Sequence, residues 1–166
     1  MSDTWLYVGV AVVMLLLGAV FFGAPYVPTR RKDIQRVVRL LGTKDVLVDL
    51  GSGDGRLVRA VAEHGNTAYG VELSPLLALM SWLSLRGLRP KAHICWGNYW
   101  RMELPAETTV IFVFLADPFM EKLRVYLEGE ALRLDRILTL VSYGFPLPGY
   151  HAVRTDGALL VYEIKP

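Results

Sequence analysis

The 166-residue sequence contains a single cysteine, Cys95. That excludes an internal disulfide and any zinc site built from several cysteines. Between Ile94 and Trp96, Cys95 is expected to end a strand and face the core as a small apolar residue. Histidine is almost as scarce. Neither His93 nor His151 stands at a recognisable catalytic position, His64 before Gly65 reads as a helix-end residue that suits the helix dipole, and no bound metal is expected. Charge of one sign is missing as well, with 18 Lys and Arg against 16 Asp and Glu. A net charge of +2, without a long basic patch interleaved with aromatics, argues against a nucleic-acid partner. No internal repeat or low-complexity segment occurs, and the length allows one domain of modest size.

Apolar residues, in contrast, are abundant. Mean hydropathy is +0.35, and Trp5 to Ala24 has no charged side chain. As a helix this stretch would be roughly 30 Å long at 1.5 Å per residue, enough to cross a bilayer. A cleaved signal peptide is disfavoured, because Met1 to Thr4 has no basic side chain and the run exceeds a signal h-region. The pattern predicts a retained transmembrane helix over residues 5–24. Gly9, Gly18 and Gly23 lack the G-x-x-x-G spacing of a helix-pairing motif. Arg30, Arg31, Lys32, Arg36 and Arg39 follow the apolar run, and the positive-inside rule then puts the rest of the chain on the cytoplasmic side, or the matrix side of an organelle. Pro25 and Pro28 stiffen a connector that reaches about 25 Å at most from Pro25 to Arg31, which confines the domain to the bilayer surface. Residues 25–45 are expected to comprise this connector and a helix over Asp33–Leu41. In that helix Asp33 would be the N-cap, Ile34, Val37, Val38 and Leu41 the inner face, and Gly42 the stop.

Residues 46–166 are organised around Val46-Leu47-Val48-Asp49-Leu50-Gly51-Ser52-Gly53-Asp54-Gly55-Arg56. Val46 to Leu50 reads as a buried parallel strand, the glycines as a loop that lets a ligand approach the backbone, and the residues from Arg56 as a helix. The helix N-terminus favours a carboxylate or phosphate. A dinucleotide loop is G-x-G-x-x-G, whereas here the third glycine comes one residue early. Asp49 and Asp54 would also repel a pyrophosphate and attract an ammonium and a sulfonium. S-adenosylmethionine carries both, plus a carboxylate. Thr67 to Glu72 reads as a second strand whose terminal acid suits ribose hydroxyls.

These residues carry a resemblance. Asp49-Leu50-Gly51-Ser52-Gly53-Asp54-Gly55, with Gly70-Val71-Glu72-Leu73-Ser74-Pro75, resembles the class I S-adenosylmethionine-dependent methyltransferases, an α/β, Rossmann-like, seven-strand sheet with an antiparallel last strand. Pro25-Tyr26-Val27-Pro28-Thr29, followed by Val37-Val38 and Leu40-Leu41, resembles the segment before that motif in the small membrane-anchored protein-lysine methyltransferases, including those of the mitochondrial ATP synthase c-subunit and the adenine nucleotide translocase. The resemblance implies that S-adenosyl-L-methionine binds at Asp49, Gly51, Ser52, Gly53, Asp54, Gly55, Glu72 and Leu73. It implies that Thr29 lies over the methionine end, that Asn98 accepts from the adenine amino group, and that Tyr99 stacks on the base or lines the substrate channel. The common acid at the position of Asn98 is here an amide.

Further along, Pro75 opens a helix whose Leu76, Leu77, Leu79, Met80, Leu83 and Leu85 cover more than one face, plainly read as a two-sided core helix and alternatively as a membrane contact. Lys91–Cys95 reads as a third strand and Thr109–Leu115 as a fourth. Ala116-Asp117-Pro118-Phe119 then stands at the carboxyl end of a central strand, where open α/β sheets hold substrate. The resemblance makes Asp117, Pro118 and Phe119 the catalytic candidates; alternatively Asp117 only caps a helix over Phe119–Leu127. Arg136–Ser142 reads as a fifth strand, and Asp156-Gly157 as a type I′ turn in a final hairpin. The expected substrate is a lysine of a membrane or juxtamembrane protein. A lipophilic small molecule such as a quinone or lipid, or a non-enzymatic nucleoside-binding membrane module, remains open.

Overall fold

Five short apolar runs form the parallel part of one sheet, because each is flanked by helix-forming sequence that covers its faces. The protein was analysed as a computed structural model in which residues 28–166, with Leu6, Tyr7 and Gly9, are described. Strands β1 (Val46–Leu50), β2 (Thr67–Glu72), β3 (Ala92–Trp96), β4 (Val110–Val113) and β5 (Leu138–Tyr143) are parallel. β6 (Arg154–Asp156) and β7 (Leu159–Ile164) form a hairpin, and β7 lies antiparallel between β5 and β6. The order β3-β2-β1-β4-β5-β7-β6 is the seven-strand arrangement expected. The apolar run 5–24 lies outside the described residues apart from Leu6, Tyr7 and Gly9. Among the described residues no helix is long and apolar enough to cross a membrane.

Among the described residues from 28 onward four α-helices flank the sheet: α1 (Arg31–Leu40), α2 (Arg56–His64), α3 (Pro75–Ser84) and α4 (Met120–Leu134). On one side of the sheet Ile34 and Val37 of α1 and Leu57, Val58 and Val61 of α2 pack on Leu47, Ala68 and Phe112. On the other, Met120, Leu123, Leu127 and Ala131 of α4 pack on Val48, Ile111, Val113 and Leu140. The period-two alternation of β1, with Leu47 facing one cluster and Val48 and Leu50 the other, is what lets one strand serve both layers. Each fully buried aliphatic side chain there contributes about 1.5–3 kcal/mol.

The structure corrects several expectations. α1 begins two residues early, with Arg30 at its N-cap and no side-chain cap bond. Asp33 is not the cap; it is buried, accepting from Arg36 (2.8 Å) and from the Tyr143 hydroxyl (3.0 Å). β3 is shifted one residue along, and Cys95 is exposed rather than in the core. β3 is the sheet edge, and the crossover to β4 has only a 3-10 turn, Tyr99–Arg101, where a helix would have covered it. α3 is not a two-sided core helix: Ala78 and Ser81 are buried, but Leu76, Leu79, Met80, Trp82 and Leu83 are exposed. In the hairpin Asp156 pairs with Leu159, so the turn is Gly157-Ala158. Only Gly157 has positive φ, +63°, as suits a type II′ turn rather than the expected I′.

Candidate functional site

The glycine loop is held in place by its own amides. Gly51 and Ser52 donate to the Val71 carbonyl (2.9 and 3.0 Å), Gly55 to the Ser52 carbonyl (2.9 Å), and Gly53 to Glu72 Oε2 (2.8 Å). These four N–H groups are therefore engaged by protein acceptors. Asp54 occupies that end itself: its carboxylate accepts from the Arg56 backbone amide (3.3 Å) and pairs with the Arg56 guanidinium (2.6 Å). The Asp54 charge is thus paired with Arg56 within the protein. The same guanidinium donates to the Thr29 carbonyl (3.4 Å), and this brings the buried Thr29 beside the loop.

Two buried carboxyls lie deeper. Asp49, at the carboxyl end of β1, is 4% exposed. Burial, then Glu72, then Asp54 push its carboxyl up from 3.8 to about 8. Such a group is stabilised in its ionised form by a cation placed beside it. Glu72 is also buried; Oε2 holds Gly53 and Oε1 accepts from the Ser74 amide (2.8 Å). Each oxygen keeps a second lone pair, so the carboxylate can still accept two hydroxyls. Gly51, at φ +92°, has open space where a Cβ would stand. Two buried acids, beside a backbone that a ligand can approach and under amides already engaged, fit a cationic nucleoside such as S-adenosylmethionine and do not fit a pyrophosphate.

Two further glycines show how closely the loop is packed. A Cβ on Gly70 would lie 2.6 Å from Ser52 Oγ, so a bare β2 backbone is what lets the loop fold down on it. Gly55, φ +75°, would drive its Cβ into Ser81 Oγ of α3. Ser52 and Ser81 are both buried with hydroxyls that have no hydrogen-bond partner.

The rim comes from the ends of β2 and β3. Leu73 is half exposed, and its carbonyl accepts from Trp96 Nε1 (3.1 Å). Asn98 caps the 3-10 turn, with Oδ1 accepting from the Trp100 amide (3.1 Å); only its second lone pair is left for an adenine amino group. Tyr99 is half buried against Trp100, centroids 4.6 Å apart, and burial holds its hydroxyl up at about 12. With Tyr69, Cys95, Met102 and Tyr126 it lines a cavity of about 220 Å³ on the α4 side.

Asp117, Pro118 and Phe119 form an exposed 3-10 turn at the carboxyl end of β4. Asp117 makes no cap bond, and α4 begins at Met120 and continues to Leu134 rather than covering Phe119–Leu127, so the cap reading fails. Beside this turn Phe114 packs on Tyr143, centroids 4.6 Å apart, with the Tyr143 hydroxyl on Asp33. Sequence reasoning missed the pairing of Phe114 with Tyr143 and the part played by Arg56. Only Arg56, two residues after an acid in a tight loop, left a readable signal; Tyr143 and Asp33 are distant in sequence and meet only through the sheet.

Comparison with known proteins agrees with this geometry. An RNA methyltransferase from Salinibacter ruber, solved in complex with S-adenosyl-L-homocysteine, superposes with a TM-score of 0.74 at 27% identity, covering 84% of this chain and 94% of that one. The mouse lysine N-methyltransferase of the ATP synthase c-subunit is 33% identical over 138 residues, 80% of this chain and 53% of that protein. The mouse adenine nucleotide translocase lysine N-methyltransferase is 34% identical over 137 residues, 80% and 58%. This chain therefore spans about half the length of those two relatives. A protein-lysine N-methyltransferase of Saccharolobus islandicus (strain REY15A) is 31% identical over 133 residues, 76% of this chain and 80% of that one. Residues 49–154 match the ANTKMT methyltransferase domain, a span running from Asp49, the acid at the centre of the site, to β6. On the glycine loop, the strand order and that match, the chain belongs to the ANTKMT methyltransferase domain family.

Proposed function

We propose that this protein transfers a methyl group from S-adenosyl-L-methionine to the ε-amine of a lysine in a membrane or juxtamembrane protein, with the segment 5–24 as its membrane anchor and the catalytic domain on the cytoplasmic or matrix side. The observation that carries the reading is the buried Asp49 carboxyl raised to about 8 beside Glu72, an acceptor-rich pocket under a glycine loop whose amides are already used. The named relatives act on lysines, and two of them on the ATP synthase c-subunit and adenine nucleotide translocase.

Bound there, the cofactor supplies an electrophilic methyl on sulfur. This chain's residues have the remaining tasks. Asp49 and Glu72 hold the cationic and ribose parts, Thr29 and Arg56 brace the loop from above, and Leu73, Asn98 and Tyr99 border the base. Asp117 at the end of β4 receives the substrate amine. A lysine has a reference pKa of about 10.4 and must shed its proton before it can attack. Substrate closing over Phe119, exposed in the free protein, would desolvate the amine and favour its neutral form, the proton leaving to solvent, and holding the amine in line with the methyl lowers the entropic part of the barrier.

Incubating native membranes with the enzyme and tritiated S-adenosylmethionine, then separating protein from lipid extract, tests the assignment. Label in a protein band, released on hydrolysis as methyl-lysine, is expected. Label confined to the lipid extract would make the substrate a lipophilic small molecule, and label in neither would leave a binding module.

A further inference from the structure

α3 presents an apolar face that the fold does not use. Leu76, Leu79, Met80 and Leu83 fall at i, i+3, i+4 and i+7, one stripe of the helix, and are 59, 53, 51 and 45% exposed. The stripe continues at the carboxyl ends of β2 and β3, where Leu73 is 44% and Trp96 67% exposed and joined by the indole hydrogen bond. A solvated helix of a soluble domain carries polar residues on such a face. Here none of the stripe is charged.

Along the stretch that carries it the charges are all of one sign. From Leu73 to Met102 the chain has no Asp or Glu and has Arg86, Arg89, Lys91 and Arg101. Arg86 and Arg89 both hold their guanidinium over the Trp82 ring, 4.6 and 4.7 Å from its centroid, which places two cations and one indole at the C-terminal edge of the stripe. Arg59 of α2 reaches the same edge, donating to the Ser84 carbonyl at 2.5 Å while pairing with Glu63 at 4.0 Å. Aliphatics in a stripe, a tryptophan and a cationic border are the parts of an element lying in the headgroup layer: the leucines enter the acyl boundary, the indole sits at its level, and the arginines meet lipid phosphates. Each Lys or Arg near an anionic surface strengthens the attachment, and salt weakens it.

We propose that the α3 face, with Leu73 and Trp96, docks on an anionic lipid bilayer and so lays the rim of the cofactor site at the membrane surface. The docking does not depend on the reaction proposed above. Apolar stripe and charge complementarity together favour lipid over a second copy of the chain, whose stripe would bring the same cations face to face.

The test uses the full chain with Cys95→Ser, an environment-sensitive fluorophore attached through Leu79→Cys, and a control label through Leu132→Cys, exposed on α4 across the sheet. Each is incorporated into vesicles of phosphatidylcholine alone, or with phosphatidylglycerol, carrying brominated acyl chains. The proposal expects a blue shift and bromine quenching at position 79, enhanced by phosphatidylglycerol, with little quenching at 132. Arg86→Gln combined with Arg89→Gln removes that enhancement. Quenching at 79 no greater than at 132, or indifferent to both phosphatidylglycerol and the arginine pair, overturns the proposal. So does a blue shift without lipid that grows with protein concentration, which would give the face to a second copy.

Discussion

Glu72 holds Gly53: the carboxylate at the end of β2 accepts the amide of the loop's central glycine at 2.8 Å while its other oxygen holds Ser74. One buried acid thus shapes the loop and borders the ligand. Glu72→Ala leaves the buried Gly53 amide and the part-buried Ser74 amide without acceptors, and S-adenosylmethionine affinity should fall by about 1.5 to 3 kcal/mol. Calorimetry finding a loss below about 0.5 kcal/mol would remove Glu72 from the site.

Gly55 and Ser81 should be coupled. A methyl on Gly55 overlaps Ser81 Oγ and stands on a backbone in the left-handed conformation, so Gly55→Ala should cost about 2 to 4 kcal/mol. Ser81→Ala removes a buried hydroxyl that has no partner and should be within about 1 kcal/mol of neutral. In the double variant the clash shrinks, so thermal or urea unfolding should show the two changes as non-additive, with part of the Gly55→Ala loss recovered. Strict additivity would mean that α3 does not sit under the loop.

Asp49 makes stability and binding depend on pH in opposite directions. Its folded carboxyl, at about 8, lies above the unfolded value of 3.8, so between those values the folded state holds a proton that the unfolded state has lost. Stability without ligand should therefore fall as pH rises from about 4 to about 8, and Asp49→Asn should flatten that decline. A cation at the site favours ionised Asp49, so cofactor affinity should rise with pH across the same window and binding near neutrality should release a proton. Titration calorimetry in two buffers of different ionisation enthalpy measures the release; identical heats would show that Asp49 does not face the ligand.

Asp117 should govern turnover. It is exposed at the end of β4 and caps nothing, so Asp117→Asn should leave folding and cofactor affinity nearly unchanged while lowering methylation by roughly tenfold or more, as loss of a positioning group does. Methylation equal to wild type would remove it from the catalytic candidates.

Deleting the segment 5–24 should separate anchoring from chemistry, provided Pro25 onward is kept. Cofactor affinity should be preserved, while methylation of a membrane-resident substrate falls by a factor on the order of 10² at equal enzyme concentration, because confinement raises the effective concentration. Undiminished methylation in intact membranes would favour a soluble substrate.

The parallel core was legible because its signals are local. Val46–Leu50 and Thr67–Glu72 are apolar runs closed by glycine or acid, and the inner face Leu57, Val58, Val61, Ala62 follows helical spacing, so their bounds and burial agree with the sequence reading. Asp49 and Glu72 likewise lie close enough to interact. What failed depended on neighbours. Cys95 looked like a core residue, but β3 is an edge whose crossover lacks a helix. Asp33 looked like a cap, yet it answers Tyr143 across 110 positions of sequence. The apolar excess of α3 was visible, but which side met solvent was not, since a helix apolar on every side carries no periodicity to orient it.

Titration calorimetry of the protein with S-adenosylmethionine, and separately with NAD, tests the central claim most directly. The spent loop amides and the Asp49–Glu72 acceptor pair predict binding of S-adenosylmethionine alone, abolished by Gly53→Val, which would put a branched side chain at a position of φ +56° beside the ligand. Tight binding of NAD, or unchanged S-adenosylmethionine affinity in Gly53→Val, would contradict the account.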